Sequence, residues 1–391
     1  MELTWMEALW LVLRDMAMGM LLSFLGFGIV WLISLVGVVL GVGIVLRILR
    51  RRRILDEPNG RSLHQIPTPR GGGLGVMAGI SPVLIGLVYS VVRSGSPAAN
   101  LVVTIVVILY GLSLISFIDD RRSLSPLLRL FVHCLCSFWL VAAFPLDLNF
   151  TAGWLPLWLE RLVLVLALVW FINLYNFMDG IDGITAIETL SIGIGGYLSV
   201  LVPALLLVVL PHYYGEGFLT PFAFLRSNLV FQLIAVFGMM LAAAGMGFLF
   251  YNWAPAKIFL GDSGSIPLGF LSGVVLILLV FKGLWQAALL VPLYYWLDAS
   301  LTLIHRLRRG ERIWQAHRSH FYQRAVQAGL GHAQVARRIL WVNLGLIFLA
   351  GASPLVPYGL ALVAGFGLVG LRLWGFDRTS LPSERFLRAS P

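Results

Sequence analysis

The sequence predicts an all-α polytopic membrane protein of about eleven transmembrane helices, and three observations carry that prediction. Of 391 residues, 59% are hydrophobic and only 12% charged, whereas a soluble domain carries about 45–50% apolar and about 25% charged residues. The apolar residues come in runs close to the ~20 that cross ~30 Å of hydrocarbon at a rise of ~1.5 Å each. The basic residues fall almost wholly on alternate connecting segments, as the positive-inside rule requires of a multi-pass chain.

In chain order the runs are 19–46, 73–92, 99–118, 128–146, 161–177, 184–210, 229–251, 266–281, 284–304, 339–353 and 356–374. The first is long enough to tilt or to begin outside the bilayer, and 266–281 is short. Ahead of them, Met1–Asp15 repeats Leu and Trp at helical spacing. It is read as an interfacial helix in an N-terminal extension, 1–18. The transmembrane domain with its cytoplasmic loops is then 19–375, and 376–391 is a cytoplasmic tail. No short leader with a cleavage site is visible at the N-terminus, so removal of a leader is not expected.

With loop 47–72 assigned to the cytoplasm, every Lys and Arg lies on that side except Arg14, Arg93, Arg161, Arg226 and Lys282. The N-terminus is then periplasmic and the C-terminus cytoplasmic. The formal charge of +10 is what this asymmetry produces, and it calls for a lipid bilayer as partner and no nucleic acid. Cys134 and Cys136 stand two apart in one apolar run, too close for an ordinary disulfide, and read as buried apolar filler.

The remaining polar residues are as one-sided as the basic ones. Asp56, Asp119, Asp120, Asp179, Asp182 and Asp262 fall at helix ends or loops on the cytoplasmic side, with Asn173, Asn176, Asn252, His317 and His320. The opposite loops carry mainly aromatics and Pro. A site open to the cytosol is the expectation.

Five segments hold it. Residues 56–73, DEPNGRSLHQIPTPRGGG, form a Pro- and Gly-rich loop. It is either a basic tether on anionic headgroups or an anion-binding loop, with the N–H groups of Gly71, Gly72 and Gly73 at a helix start beside Arg61 and Arg70. Residues 117–122, FIDDRR, end an apolar helix in two adjacent carboxylates, a pattern equally common at a solvated helix end. Residues 173–183, NLYNFMDGIDG, place Asn173, Asn176 and Asp179 near one helical face. Their hard oxygens suit Mg²⁺; the plain alternative is a polar cap with Asx turns. Residues 251–265, YNWAPAKIFLGDSGS, lead into a helix that Asp262 or Ser263 could cap, with the helix dipole facing a phosphate. Residues 317–324, HRSHFYQR, pair two histidines with Arg318 and Arg324, and a diphosphate contact fits them better than zinc. Two acids lie deeper. Glu188 and Asp298 sit within apolar runs, where a charge costs about 2.5–3.5 kcal/mol and calls for a partner. For Asp298 that partner is sought in an ion pair with His305 or Arg306.

Taken together and in this order, the five segments resemble the polyprenyl-phosphate N-acetylhexosamine-1-phosphate transferase family, glycosyltransferase family 4-like, over about residues 45–375. The resemblance implies transfer of a sugar 1-phosphate from a UDP-N-acetylhexosamine to undecaprenyl phosphate in a bacterial inner membrane. UMP is released and Mg²⁺ is the cofactor, with Mn²⁺ as the alternative ion. It further implies Asn176 and Asp262 as metal ligands and Asp119 and Asp120 as the catalytic acid pair. Asp262 and His320 also join the catalytic set. Asp182 and Phe259 would hold uracil, with Asn252 beside the nucleotide and Arg70, Asp179, His317 and Arg318 as further substrate contacts. The histidine motif reads H-R-S-H without consecutive histidines, which points away from a muramoyl-pentapeptide donor and toward the O-antigen-initiating branch. One direct in-line transfer is expected, with a covalent Asp intermediate as the competing route, and a homodimer is compatible with the chain. The rival functions are a CDP-alcohol phosphatidyltransferase, which would pack its acids into one segment, and a transporter or flippase, which would show inverted repeats and helices broken at the midplane.

Overall fold

A computed structural model describes residues 5–58, 63–122, 124–145, 150, 153–209, 228–312, 317–357 and 359–380, with backbone only for 5–24, 204–209 and 380. Arg61, Arg226 and the tail beyond 380 lie outside the described residues.

The described chain is helical apart from one small ribbon. The helices are α1 (Trp5–Arg51), α2 (Gly72–Arg93), α3 (Ala99–Arg122), α4 (Pro126–Ala142), α5 (Leu157–Phe177), α6 (Ile184–Val209), α7 (Leu229–Asn252), α8 (Asp262–Phe281), α9 (Trp285–Leu290), α10 (Leu293–Arg308), α11 (Phe321–Gln327), α12 (His332–Ala352) and α13 (Leu360–Ser380). Between α1 and α2, β1 (Leu55–Asp56) pairs antiparallel with β2 (Thr68–Pro69). Among the described residues nine helices are long and apolar enough to cross a membrane, and α4 is a shorter apolar helix of 17 residues. The all-α polytopic class is therefore what the chain adopts.

Two elements differ from expectation. From Trp5 on, the helix expected over Met1–Asp15 is not a separate piece: α1 runs unbroken for 47 residues. No Pro interrupts this stretch, so nothing forces a boundary at residue 18. At 1.5 Å per residue α1 spans about 70 Å, more than twice the hydrocarbon thickness. The single helix expected over 284–304 is instead broken between α9 and α10 at Val291–Pro292, because Pro292 brings no N–H to the helical ladder.

The axis of the bundle is α8, whose apolar window is 89% buried, with α3 and α5 packed along it. Its N-terminus carries Asp262, so the best-held helix in the molecule positions a candidate ligand. At the rim, α1 turns Leu25, Ile29, Leu32, Val36, Leu40 and Ile44 outward, a helical stripe suited to lipid. Its other face meets α2 at two GxxxG sequences. A Cβ on Gly37 would lie 2.2 Å from the Gly79 carbonyl oxygen, and one on Gly41 2.4 Å from that of Gly75. Without side chains the two backbones touch, and in lipid such van der Waals contact is what drives helix pairing.

The deep acids have partners. Glu188 on α6 accepts a 2.8 Å hydrogen bond from Asn343 Nδ2 on α12. Asp298 does not form the expected ion pair. It accepts from Tyr294 Oη at 2.9 Å, Phe321 N at 3.0 Å and Tyr322 N at 3.2 Å, with His320 Nδ1 at 3.3 Å, so it caps the start of α11. Arg306 pairs with Glu311 at 2.7 Å instead. Cys134 and Cys136 are free and half-exposed, not buried filler.

Candidate active site

The site is assembled where four short connections meet the start of α8. Residues 69–73 cross residues 259–260: Phe259 N donates to the Pro69 oxygen at 2.8 Å. Gly71 N and Gly72 N donate to the Phe259 oxygen at 3.1 and 2.9 Å, and Gly73 N to the Leu260 oxygen at 2.8 Å. The N–H groups expected to cradle an anion are thus spent on backbone carbonyls. The triple glycine serves close packing. A Cβ on Gly73 would stand 2.2 Å from Gly264 N, so the starts of α2 and α8 touch backbone to backbone.

That packing carries Arg70 to the acids. Its Nη2 lies 2.8 Å from Asp262 Oδ1 and 3.1 Å from Asp120 Oδ1. Burial works against the Arg70 charge, and Asp262, Asp120, Asp56 and Asp179 outweigh it, so the group is held firmly cationic. Asp120 also accepts from Ser263 N at 3.1 Å and Asp262 N at 3.4 Å. The cap of α8 is therefore supplied by α3, and not by Asp262 or Ser263 as expected. Asp119 turns elsewhere. It is buried, accepts from Leu124 N at 2.6 Å, and pairs with Arg129 at 3.1 Å. Arg129 in turn lies 3.6 Å from Asp262 Oδ2, so one carboxylate sits between two arginines. Nothing in the local sequence singled out Arg129. It is a functional candidate that only the fold reveals.

Beside this cluster is a cavity of about 240 Å³ lined by Asn176, Asp179, Asp182, Asn252, Phe259 and Asp262, with Arg70, Asp56, His64, Gln323 and His332. Asn176 Nδ2 donates to Ser265 Oγ at 2.9 Å, which leaves the amide oxygen for a ligand. Burial pushes the Asp179 carboxyl up to about 6, opposed by a hydrogen bond from Thr185 and reinforced by Asp262. Asn173 is not part of the wall; its amide donates back to the Val169 oxygen at 2.7 Å. Asp182 Oδ2 accepts from Ala256 N at 3.1 Å and lies 3.4 Å from His332 Nδ1. Asn252 accepts from Gly183 N and donates to the Ile258 oxygen, both at 2.9 Å. Its amide therefore ties the two loops together while its side chain lines the cavity.

The histidine motif is the part the structure does not bring to the cavity. His320 is 2% exposed and bound to Asp298, and His317 stacks on it at 4.8 Å. Burial, with His320 and Arg306 adding to it, pulls the His317 imidazole down to about 4. Arg318 is exposed, and none of the three lines the cavity wall. The motif's contribution to the wall comes through Gln323 on α11, which the sequence reading passed over.

A family model described as glycosyl transferase family 4 matches residues 101–280. A decaprenyl-phosphate N-acetylglucosaminephosphotransferase of Mycolicibacterium smegmatis is 30% identical over 354 residues, spanning 80% of this chain and 78% of that one. The chain belongs to glycosyl transferase family 4. Two further members show the same extent of similarity. A Bacillus subtilis protein named "Probable undecaprenyl-phosphate N-acetylglucosaminyl 1-phosphate transferase" is 26% identical over 316 residues, 78% of each chain. An undecaprenyl-phosphate alpha-N-acetylglucosaminyl 1-phosphate transferase of Yersinia pestis is 25% identical over 337 residues, 82% of this chain and 78% of its own. The family match covers α3 through α8, the segment that carries the acid pair, Asn176, Asp179, Asp182 and Asp262. In this family 4 chain the oxygens of Asn176, Asp179 and Asp262 around one cavity fit Mg²⁺. They are hard donors, and a cation would balance the charge of the half-buried Asp179 carboxylate. Among the described residues no three His, Cys, Asp or Glu side chains converge as a ready-made metal cage.

Proposed function

We propose that this membrane enzyme transfers an N-acetylhexosamine 1-phosphate from a UDP-sugar to undecaprenyl phosphate, giving undecaprenyl-diphospho-sugar and UMP. The observation that carries the reading is one cavity lined together by Asn176, Asp179, Asp262, Phe259 and Asp182: oxygens for a metal-bound diphosphate, and an aromatic ring and an acceptor for a nucleobase. The one-sided arginines support a cytoplasmic opening in a bacterial inner membrane, and initiation of O-antigen or another envelope glycan is the pathway proposed.

A lipid phosphate oxygen attacks the β-phosphorus of the donor. The bond from that phosphorus to the bridging oxygen breaks, and the electron pair leaves with UMP. The nucleophile needs no dedicated base, because a phosphate monoester with a second pKa of about 6 is already dianionic near neutrality. Arg70 and Arg129, both at Asp262, are placed to steady the charge that develops on the transferring and leaving phosphates. Mg²⁺ held by Asn176 and Asp262, with Asp179 beside it, would bind the diphosphate and act as a Lewis acid there.

A covalent aspartyl intermediate is disfavoured by the acid pair itself. Both Asp119 oxygens are engaged by Leu124 N and Arg129, and both Asp120 oxygens by Arg70 and the α8 N-terminus. The test is to incubate the purified protein with undecaprenyl phosphate, Mg²⁺ and a panel of labelled UDP-N-acetylhexosamines. UMP release with label in the lipid phase is expected. Label that only crosses vesicles, or release from a CDP-alcohol, would replace the reading with a transporter or a phosphatidyltransferase.

A further inference from the structure

His64 lines the cavity, and neither the motif reading nor the proposed chemistry gives it a role. It lies in the loop between β1 and β2, and the Pro69 oxygen of β2 accepts from Phe259 N at 2.8 Å. That bond fixes the segment against the aromatic residue. The His64 ring contacts the Phe259 ring at 4.8 Å between centroids, tilted by 59°. Both rings line the cavity with Asp182 and Ile181. His64 Nε2 is shielded from solvent and has no hydrogen-bond partner among the described residues. A buried imidazole nitrogen without a partner costs free energy unless a ligand supplies one.

We infer that His64 is a nucleobase-recognition residue, its Nε2 hydrogen-bonding the uridine of the donor beside Phe259 and Asp182. The inference rests on the proposed use of a UDP-sugar. Uracil presents a donor, N3–H, flanked by two carbonyl acceptors. Asp182 as a carboxylate can only accept, so it suits N3–H and cannot serve the carbonyls. An imidazole N–H can. With His64 on the C4 carbonyl of uracil, cytosine, with an acceptor at N3 and an amino group at C4, mismatches both Asp182 and His64. Such a polar pairing discriminates strongly, because the wrong base leaves buried groups unpaired.

The test is calorimetric titration of the purified full-length protein with UMP and with CMP. His64→Phe keeps a ring against Phe259 and removes Nε2. His64→Gln keeps a side-chain N–H. His64→Phe should bind UMP about tenfold or more weakly, the loss of one hydrogen bond to a buried group. His64→Gln should recover part of that affinity, and the KM for undecaprenyl phosphate should stay unchanged in both. UMP binding by His64→Phe equal to wild type overturns the inference and leaves the transferase reading standing. Wild type that binds neither nucleotide overturns both. Should His64→Phe lose its thermal unfolding transition, His64→Leu, which also removes Nε2, takes its place: UMP affinity and selectivity over CMP equal to wild type refute the role.

Discussion

Gly73→Ala isolates the contact that sets the site. The new Cβ would lie 2.2 Å from Gly264 N, 2.3 Å from Gly264 Cα and 2.7 Å from the Ser263 carbonyl carbon. All three are backbone atoms, so no rotamer change relieves the clash. Ordinary van der Waals contact begins at 3.4 Å, so the starts of α2 and α8 must part by about 1 Å, an overpacking that costs about 1–3 kcal/mol. The bonds stretched first are those from Gly72 N and Gly73 N to the Phe259 and Leu260 oxygens. Arg70 and Asp262 ride on the two parting segments, and a misplacement of about 1 Å near reacting groups can cost about a hundredfold in rate. The expected result is a folded protein with a moderately lowered unfolding temperature and about a hundredfold slower UMP release at saturating substrates. Gly86→Ala, on the same helix with nothing within 4 Å of its new Cβ, is the control and should leave both unchanged. A Gly73→Ala rate within about threefold of wild type would refute the idea that this glycine contact positions the chemistry.

Other expectations follow from the same geometry. Asp262→Asn should abolish transfer even at saturating Mg²⁺, measured by UMP release, and near-wild-type activity would remove Asp262 from the metal site. Asp120→Ala uncaps α8 and should lower stability by about 1 kcal/mol in thermal unfolding, whereas Asp120→Asn still accepts from Ser263 N and should lose only a few tenths; equal losses would mean the cap is immaterial. Asp179, with its carboxyl raised from 3.8 to about 6 by burial, makes a pH-dependent contribution. The folded state holds this proton more tightly than the unfolded chain, so the contribution is full below about pH 4 and is lost as pH rises through about 6. Without divalent cations, Asp179→Asn should therefore be more stable than wild type at pH 7–8, with the difference vanishing below about pH 4. An advantage that persists unchanged into acid would show that the carboxyl's titration is not its source.

Much of the site was legible because each motif pairs a local pattern with a chemical need. NLYNFMDGIDG announced Asn176, Asp179 and Asp182 by oxygens at helical spacing, and GDSGS announced Asp262 at a helix start. These residues do line one cavity. The triple glycine was legible as a special backbone but not as to its use. A sequence shows that a residue lacks a Cβ, not whether a phosphate or another helix fills the space. HRSHFYQR was visible for the same reason, yet its histidines turn inward to Asp298, and Gln323 reaches the cavity in their place. Arg129 gave no local signal because it sits in an apolar helix, and His64 was passed over inside the loop 56–73, which was read for its glycines and arginines.

The sequence alone determined the all-α membrane class. Hydrocarbon solvates no free backbone, so each apolar run long enough to cross it is read as a helix from composition. It also placed the polar groups at helix ends and loops, because charges avoid the hydrocarbon core. Only the tertiary structure decided which of those groups meet. Asp119 and Asp120 are neighbours in the chain, and a helix sends adjacent side chains about 100° apart. One is therefore held by Arg129, while the other caps α8 and pairs with Arg70. The partners of each are fixed by how α3 lies against α8, a contact between segments more than a hundred residues apart.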